Sequence, residues 1–452
     1  MARLFFDQAL LQEGWARAVR LTLADGRIER IEAGATPEAA DERHALAIPG
    51  MPNVHSHAFQ RGMAGLTERG SPAGDNFWTW REVMYRFALR MTPDDIEAIA
   101  AQLFAELLEA GFTRVGEFHY LHHDANGAPY ANLAETAERI AAAARETGIG
   151  LTLIPTFYAH GGFGGAPANL QQRRFINDLD RFAKLFAASR AAVGGLDGAT
   201  VGIAAHSLRA ATPEELEAVV AMGGDRPIHL HIAEQVKEVE DCVRWSGARP
   251  VAWLLDHASV DQRWCLVHAT HMTAMESERL ARSGAVAGLC PVTEADLGDG
   301  IFDALTFAAA GGAVGIGSDS NVLLGVADEL RQLEYSQRLL HRARNLMSRS
   351  EGGSTGRALF DAALAGGSHA LGIEHAGLAA GAAADLVTLD PDHLALVGRS
   401  GDDILDGFIF AGGQNAVDCV WRHGTKLVSG GRHIARERCR ARFRATMARL
   451  LT

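Results

Sequence analysis

Residues 52–57 read Pro52-Asn53-Val54-His55-Ser56-His57 and end an apolar run that begins near residue 47. Side chains alternate between the two faces of an extended strand, so residues two apart point the same way. The imidazoles of His55 and His57 can therefore reach one metal ion from the end of a buried strand. A His-x-His pair is also common without a metal, so further ligands must come from elsewhere in the chain.

Further short apolar runs alternate with helical stretches, as in repeated strand–helix units that form a parallel sheet. Runs this apolar suit strands that are covered on both faces. Together they predict an α/β fold, a (β/α)8 TIM-like barrel with its reactive groups at the C-terminal ends of the strands. The predicted strands span residues 47–54, 112–118, 151–157, 200–205, 227–231, 264–267, 285–289 and 313–317.

Helix starts are signalled by Thr-Pro pairs followed by acidic residues. Thr92-Pro93 and Thr212-Pro213 each place a hydroxyl at the N-cap and proline at the first helical position. Glu215 adds a capping box to the second helix. The first helix is predicted to stop at Gly111, directly before the second barrel strand.

The two ends of the chain differ from this middle part. Residues 1–46 and 378–435 contain short strands separated by Asp-Gly, His-Gly and Gly-Gly turns, which is typical of hairpins. They predict one small β-sandwich domain assembled from both termini, beside a barrel over residues 47–377 and a C-terminal helix over 436–452. Glycine-rich loops such as residues 160–165 follow predicted strands, where barrel enzymes keep mobile active-site loops.

Composition excludes several classes of protein. The 452 residues carry a formal net charge of −12 and no Lys/Arg-rich stripe, so nucleic acid is not an expected partner. Residues 1–23 lack the uninterrupted apolar run of a signal peptide, and no run of about 18 apolar residues predicts a membrane helix. The five cysteines are scattered without a CxxC pair, so we expect reduced thiols in a cytoplasmic protein.

Three further residues with metal-ligand chemistry end later predicted strands. His231 closes the fifth strand, His268 the sixth, and Asp319 follows the eighth. Each alone could be a hydrogen-bonded histidine or a helix-capping aspartate, but four strand ends that meet at one edge of a barrel favour a shared site. Imidazole and carboxylate are ligands of Zn²⁺, and a catalytic site keeps one position open for water.

Glu234 lies three residues after His231 in His231-Ile232-Ala233-Glu234. Its carboxyl can reach a metal-bound water without being needed as a ligand. It could instead be a solvated loop glutamate. Beside a cationic site, however, a carboxyl can take a proton from water and pass it to a leaving nitrogen, which is general acid/base work.

The set HxH, HxxE, His and Asp, after strands one, five, six and eight, resembles that of the amidohydrolase superfamily, especially its deaminase-like members. The resemblance covers nearly the whole chain and implies that His55, His57, His231 and Asp319 are metal ligands. It also implies that Glu234 shuttles protons and that His268 holds the hydroxide and the developing tetrahedral centre. The predicted fourth strand has no lysine to bridge two ions, so one divalent ion per subunit is expected. Zinc is favoured, and iron or nickel is compatible with the same ligands.

Within the superfamily the chain is most similar to the deiminases of histidine degradation, which release ammonia from a formimino group on glutamate. The similarity lies in His55-Ser56-His57-Ala58-Phe59-Gln60-Arg61, Phe77-Trp78-Thr79-Trp80-Arg81, Gly116-Glu117-Phe118-His119-Tyr120 and His206-Ser207-Leu208-Arg209.

A dicarboxylate substrate calls for guanidinium groups and neutral donors. Arg209 and Arg81 can supply the guanidinium groups, and Gln60, Tyr120 and His206 can supply the donors. Taken singly, each of them is more often a surface or packing residue.

Two other functions compete with this hypothesis. A superfamily deaminase acting on guanine, cytosine or adenosine predicts an aromatic pocket, and Trp78, Trp80 and Phe118 lie near the site. A non-catalytic protein could keep the barrel for assembly, but it would not need the full ligand set together with Glu234 and His268. The resemblance also suggests a homodimer, in which the helical region 331–344 either packs between subunits or is an ordinary barrel helix.

Overall fold

The computed structural model describes residues 2–70, 72 and 74–452 of the chain, so Met1 of the predicted terminal domain lies outside the described residues. The chain begins with strands that join a separate sheet at one end of the barrel. The Asp25-Gly26 turn joins the second and third of them, as predicted. These strands are β1 (Ala2–Leu11), β2 (Gly14–Ala24), β3 (Arg27–Glu32) and β4 (Glu42–Pro49).

Eight parallel strands then form the wall of the predicted TIM-like barrel, and a short additional strand, β8, pairs with β7. Backbone hydrogen bonds between the segments after β5 and β13 close the barrel at its C-terminal rim. The strands are β5 (Met51–Ser56), β6 (Phe112–His119), β7 (Gly150–Phe157), β8 (Thr200–Val201), β9 (Ile203–Ser207), β10 (Ile228–Ile232), β11 (Trp264–His268), β12 (Val286–Leu289) and β13 (Ala313–Ile316).

Two predicted strands are each divided in the structure. The prediction of one strand over residues 47–54 was wrong, because Ala47 pairs with Thr388 outside the barrel and the barrel strand starts at Met51. Both parts are apolar, so no polar residue marks the break. Gly50 lies at the crossing, where a Cβ atom would overlap Thr113. The predicted strand over residues 200–205 is likewise divided at Gly202.

Helices cover the outside of the barrel, and the N-caps predicted at Thr92 and Thr212 are present with their capping boxes. None of the helices in the described part of the chain has the length and apolarity that crossing a bilayer requires. The helices are α1 (Phe77–Ala88), α2 (Pro93–Glu109), α3 (Glu135–Thr147), α4 (Leu179–Val193), α5 (Pro213–Gly223), α6 (Val236–Ser246), α7 (Pro250–His257), α8 (Ala274–Ser283), α9 (Pro291–Asp296), α10 (Ala304–Ala309), α11 (Val326–His341) and α12 (Thr355–Ala370).

The C-terminal part returns to the first sheet. Predicted turns at His423-Gly424 and Gly430-Gly431 join its last strands. The sheet order is β17-β16-β15-β14-β4-β1-β2-β3, with β1 and β4 parallel and the other neighbours antiparallel. The added elements are β14 (Leu386–Leu389), α13 (Asp402–Gly407), β15 (Val417–Arg422), β16 (Thr425–Ser429), β17 (Arg432–His433) and α14 (Arg436–Leu450).

Short tight helices occupy several loops. Three-ten turns cover Ala58–Met63, Phe163–Gly165, Leu170–Gln172 and Gln414–Ala416, and a π-helical turn covers Phe408–Gly412. The first of them follows His57 directly, and the next two lie in the long loop after β7. These first three turns therefore shape the loops at the C-terminal rim of the barrel.

Helix α12 packs flush against β13 because Gly366 has no side chain. A Cβ atom at this position would overlap the backbone carbonyl of Val314. We expect Gly366→Ala to lower the free energy of unfolding by about 1–3 kcal/mol, the usual cost of overpacking. The midpoint of denaturant unfolding measures this loss.

Gly195→Ala is the matched control, because its Cβ atom would meet nothing within 4 Å. The control should leave the unfolding midpoint within error of wild type. Equal midpoints for the two variants would show that the contact between α12 and β13 tolerates a methyl group.

Candidate active site

Three of the four predicted metal ligands lie where the first and last strands of the barrel, β5 and β13, meet at its C-terminal rim. The backbone N–H of His57 donates to the carbonyl of Asp319 at 3.0 Å, and the N–H of Asp319 donates to the carbonyl of His55 at 3.0 Å. Below them, the Asn53 side-chain amide donates to the Ser318 hydroxyl at 2.6 Å. The first and last barrel strands are thereby held in a register that brings these ligands together.

Four side chains converge at this rim. The Nε2 atom of His55 lies 3.2 Å from Nε2 of His57 and 3.0 Å from Nε2 of His231. Asp319 Oδ1 lies 3.4 Å from His55 Nε2 and 3.3 Å from His57 Nε2. The structure therefore brings together His55, His57, His231 and Asp319, as the sequence predicted.

Hydrogen bonds at the opposite ring atoms orient two of the imidazoles. His57 Nδ1 donates to the carbonyl of Phe118 at 3.0 Å, and His231 Nδ1 donates to the carbonyl of His206 at 2.9 Å. In a neutral ring this leaves each Nε2 atom as a bare lone pair. Burial lowers the pKa of His55, His57 and His231, so the rings are neutral, the form that binds metal.

The donor set fits a tetrahedral metal ion. Atoms about 2.0–2.1 Å from such an ion lie roughly 3.3 Å from one another. The distances given above, from 3.0 to 3.4 Å, match this spacing. Unprotonated imidazole nitrogens and a carboxylate oxygen that face each other in a buried site repel one another unless a cation lies between them, so the four side chains form a group that could hold a metal ion, called here the metal-binding group.

Several backbones at this rim adopt left-handed conformations that side chains disfavour. Ala233, His268 and Asp319 have φ of 52°, 68° and 41°. Such strain persists only where surrounding contacts impose it, and it concentrates at functional sites. Ala233 directly follows β10, His268 ends β11 and Asp319 lies three residues after β13, so all three lie at the rim where the cluster forms.

Glu234 and His268 lie beside the metal-binding group. His268 Nε2 is 3.7 Å from Glu234 Oε1 and 3.8 Å from Asp319 Oδ2. Burial raises the pKa of the Glu234 carboxyl above its ordinary value. Burial alone would lower the pKa of His268, but the surrounding carboxylates of Glu234, Glu294 and Asp319 raise it. A proton can thus be held or exchanged within this pair at neutral pH.

A cavity next to the metal-binding group is lined by two arginines from different elements, Arg81 and Arg209. Arg209 follows β9, and its Nη2 atom lies 4.0 Å from Glu234 Oε2 and 3.8 Å from Glu238 Oε2. Arg81 lies on α1, with its guanidinium carbon 4.4 Å from the ring centre of Trp78. The Nε atoms of both arginines are buried without a hydrogen-bond partner among the described residues. Both therefore have donors to offer a bound anion.

The predicted neutral donors also line this cavity. The Gln60 side-chain amide donates to the Tyr120 hydroxyl at 3.2 Å. The His206 ring centre lies 5.4 Å from that of Tyr120 and 4.8 Å from that of His231. The predicted catalytic, metal-binding and substrate-binding residues line the cavity, except His55, which is fully buried. Of the three aromatic residues expected near the site, Trp80 lines the cavity, whereas Trp78 and Phe118 are not among its lining residues.

Other lining residues were not among the predicted site residues, notably Tyr85, Tyr158 and Phe175. The Gln172 amide donates to the Tyr158 hydroxyl at 2.6 Å and to the Tyr85 hydroxyl at 3.3 Å. Tyr85 lies one helical turn after Arg81, and Tyr158 directly follows β7, so spacing could have indicated both. Phe175 lies in the loop after β7 and carries no local signal.

Residues 46–427 match the profile of the amidohydrolase family. Residues 1–45 match the profile described as formimidoylglutamate deiminase HutF, N-terminal domain. Together the two profiles account for both the barrel and the N-terminal strands.

Three individual proteins are similar along most or all of their length. The chain is 51% identical to a formimidoylglutamate deiminase from Pseudomonas aeruginosa, with 100% of both chains covered. A crystal structure of an amidohydrolase from Brucella melitensis is 58% identical with a TM-score of 0.97, again with 100% of both chains covered. An 8-oxoguanine deaminase from Pseudomonas aeruginosa is 29% identical, with 91% of this chain and 90% of that protein covered.

Proposed function

The chain belongs to the amidohydrolase family. We propose that it is a formimidoylglutamate deiminase. The reaction joins N-formimino-L-glutamate with water and yields N-formyl-L-glutamate and ammonia, a step of histidine degradation. The observation that carries the proposal is the 51% identity over the full length of a protein of that name. Ammonia release from N-formimino-L-glutamate by the purified protein is the direct test.

The alternative of a nucleobase deaminase has weaker support. The 8-oxoguanine deaminase is only 29% identical to this chain, and the N-terminal strands match the profile of the deiminase domain. The cavity does contain aromatic side chains, including Trp80 and Tyr85. However, two guanidinium groups with unpaired Nε atoms, those of Arg81 and Arg209, suit a substrate with two carboxylates better than a neutral ring.

The substrate carboxylates bind Arg81 and Arg209, and Gln60, Tyr120 and His206 supply further donors. Support comes from their shared cavity and from the free donor atoms on the arginines. Trp78 packs against the Arg81 guanidinium and keeps the plane of that group oriented. The formimino end of the substrate is then directed toward Glu234 and His268.

Arg81→Met tests the binding of a carboxylate at α1. A hydrogen bond to a charged group contributes about 1.5–3 kcal/mol, so KM for N-formimino-L-glutamate should rise about 10- to 100-fold. Because Arg81 does not contact Glu234, kcat should change little. Steady-state kinetics at fixed ionic strength measure both constants.

Arg86→Met on the exposed face of the same helix is the matched control and should leave KM unchanged. An unaltered KM in Arg81→Met would remove this residue from the binding site.

One divalent ion, with zinc expected, binds His55, His57, His231 and Asp319. A bound ion of this kind lowers the pKa of water to about 7 and so supplies hydroxide at neutral pH. Strand β9 reads Ile203-Ala204-Ala205-His206-Ser207 and contains no lysine that could bridge a second ion. This composition supports a single ion.

The proton chemistry is performed by Glu234. Its carboxylate takes a proton from the attacking water and delivers it to the imino nitrogen. His268 Nε2 donates to the oxygen that adds to the formimino carbon and stabilises its developing charge. The added hydroxyl then gives up its remaining proton, which Glu234 carries to the new amino group. As the carbonyl of the formyl group forms, the bond to this fully protonated nitrogen breaks and ammonia leaves. The raised pKa of Glu234 suits a group that must both accept and release this proton.

The protein is a cytoplasmic homodimer in this proposal. Helix α11 exposes Tyr335, Leu339 and Leu340, whose relative exposures are 38%, 78% and 49%, and such a face supports a subunit contact. All five cysteines are buried and free, which supports a reducing compartment. Size-exclusion chromatography with light scattering should give twice the mass of the chain, and the mass of a monomer would reject the dimer.

A further inference from the structure

A buried carboxylate lies on the side of His268 that faces away from the metal-binding group. Glu294, on the short helix α9 after β12, is 5% exposed. Its Oε1 atom lies 3.3 Å from His268 Nδ1 and accepts the backbone N–H of Cys290 at 2.8 Å. Neither the sequence motifs nor the proposed proton transfer uses this residue.

The position of Glu294 is fixed by contacts that α9 makes to α11 and to the segment after β13. The backbone N–H of Val292 donates to the fully buried Glu329 of α11 at 3.0 Å. The Thr293 and Ser320 hydroxyls lie 3.0 Å apart and connect α9 to the segment after β13. The carboxylate of Glu294 is therefore held in place independently of His268.

The His268 ring needs such a fixed partner. The ring stacks on His231 with centres 5.5 Å apart and planes at 16°, a contact that does not distinguish the two flipped orientations of the imidazole. The hydrogen bond at Nδ1, together with the two carboxylates near Nε2, selects the orientation in which Nε2 faces Glu234 and Asp319. With the ring flipped, a carbon atom would replace Nε2 at the reacting oxygen.

We infer that Glu294 is the positioning residue for His268: its carboxylate accepts a hydrogen bond from Nδ1–H and thereby directs Nε2 toward the reaction centre. This inference rests on the proposed function. A carboxylate behind a functional histidine fixes the orientation of its ring, and loss of such a partner commonly lowers activity about 10- to 100-fold. The competing role for Glu294 is structural, as a cap for the N–H of Cys290 alone.

A double-mutant cycle separates these roles. Glu294→Ala should lower kcat about 10- to 100-fold, with KM changed less than about threefold and zinc content unchanged. In a His268→Ala background the same substitution should change kcat less than about threefold. Glu294→Gln keeps an oxygen acceptor and should restore part of the lost turnover. Equal fractional losses in both backgrounds would assign Glu294 a structural role and overturn the inference.

Asp95→Ala is the matched control. Asp95 is a buried carboxylate that accepts the backbone N–H of Thr92 at 2.7 Å, a capping contact like that to Cys290 but outside the cavity. Asp95→Ala should lower the melting temperature by the same amount in the wild-type and His268→Ala backgrounds, which would show that the two residues are not coupled.

A readout without turnover keeps this test apart from the proposed function. In zinc-loaded protein labelled with ¹⁵N-histidine, the Nδ1 proton of His268 should give a slowly exchanging signal that is absent from His268→Ala. Glu294→Ala should abolish that signal, and its persistence would overturn the inference even if N-formimino-L-glutamate is a substrate. An inactive wild type that still shows the Glu294-dependent signal would reject the proposed function alone.

Discussion

Glu234→Gln is expected to lower kcat for N-formimino-L-glutamate about 10²- to 10⁴-fold, the usual contribution of a general acid/base, while the protein keeps its metal. Glutamine has the shape of glutamate but cannot accept and return a proton. Glu234 lies beside His268 rather than among the four metal-binding side chains, so its loss leaves that group intact. Alanine at this position should likewise retain metal and lose nearly all turnover.

Kinetics and metal analysis on the same preparation measure this effect. Glu240→Gln is the matched control, because Glu240 lies on the exposed face of the neighbouring helix α6 and should leave kcat unchanged. Normal turnover by Glu234→Gln would assign the proton transfer to another group. Loss of metal together with activity would instead place Glu234 in the metal-binding site.

The second large effect is expected from His231→Ala. This substitution removes one of four side chains whose donor atoms lie within 4.8 Å of one another. A catalytic ion contributes several kcal/mol of transition-state stabilisation, so turnover should fall about 10³-fold or more. Zinc content, measured by atomic absorption, should fall in parallel.

Two comparisons separate loss of the metal from loss of the fold. His229→Gln alters a buried histidine on the same strand that bonds the carbonyl of Ala370, outside the metal-binding group, and should retain zinc. Dialysis of wild type against a chelator should abolish activity, and added zinc should restore it. Full activity of the chelated protein would contradict a metal-dependent mechanism.

Much of the site could be predicted because its parts follow a simple rule. The C-terminal ends of parallel barrel strands meet at one rim, so polar residues at the ends of apolar runs become neighbours. From the sequence alone, this rule predicts that His55, His231 and Asp319 lie close together. The hairpin turns were equally accessible, because Asp-Gly and Gly-Gly pairs carry the required backbone freedom locally.

The remaining features depend on tertiary contacts that local patterns do not encode. The break at Gly50 joins two apolar strands that enter different sheets. The Pro49-Gly50 pair could have marked the break, but which sheet each strand joins depends on tertiary contacts such as the close approach of Thr113. Glu294 follows a strand that carries no ligand, so no motif draws attention to it. Its proximity to His268 depends on the position of α9, which is held by the hydrogen bond from the Val292 N–H to Glu329 of the distant helix α11.

The most direct measurement is ammonia release by the purified, zinc-loaded protein from N-formimino-L-glutamate, with guanine, cytosine and adenosine assayed in parallel and products identified by mass. The account predicts turnover of N-formimino-L-glutamate with N-formyl-L-glutamate as the product, and little activity on the nucleobases. No turnover of N-formimino-L-glutamate, together with turnover of a nucleobase, would contradict the account and would also remove the roles given to Arg81 and Arg209.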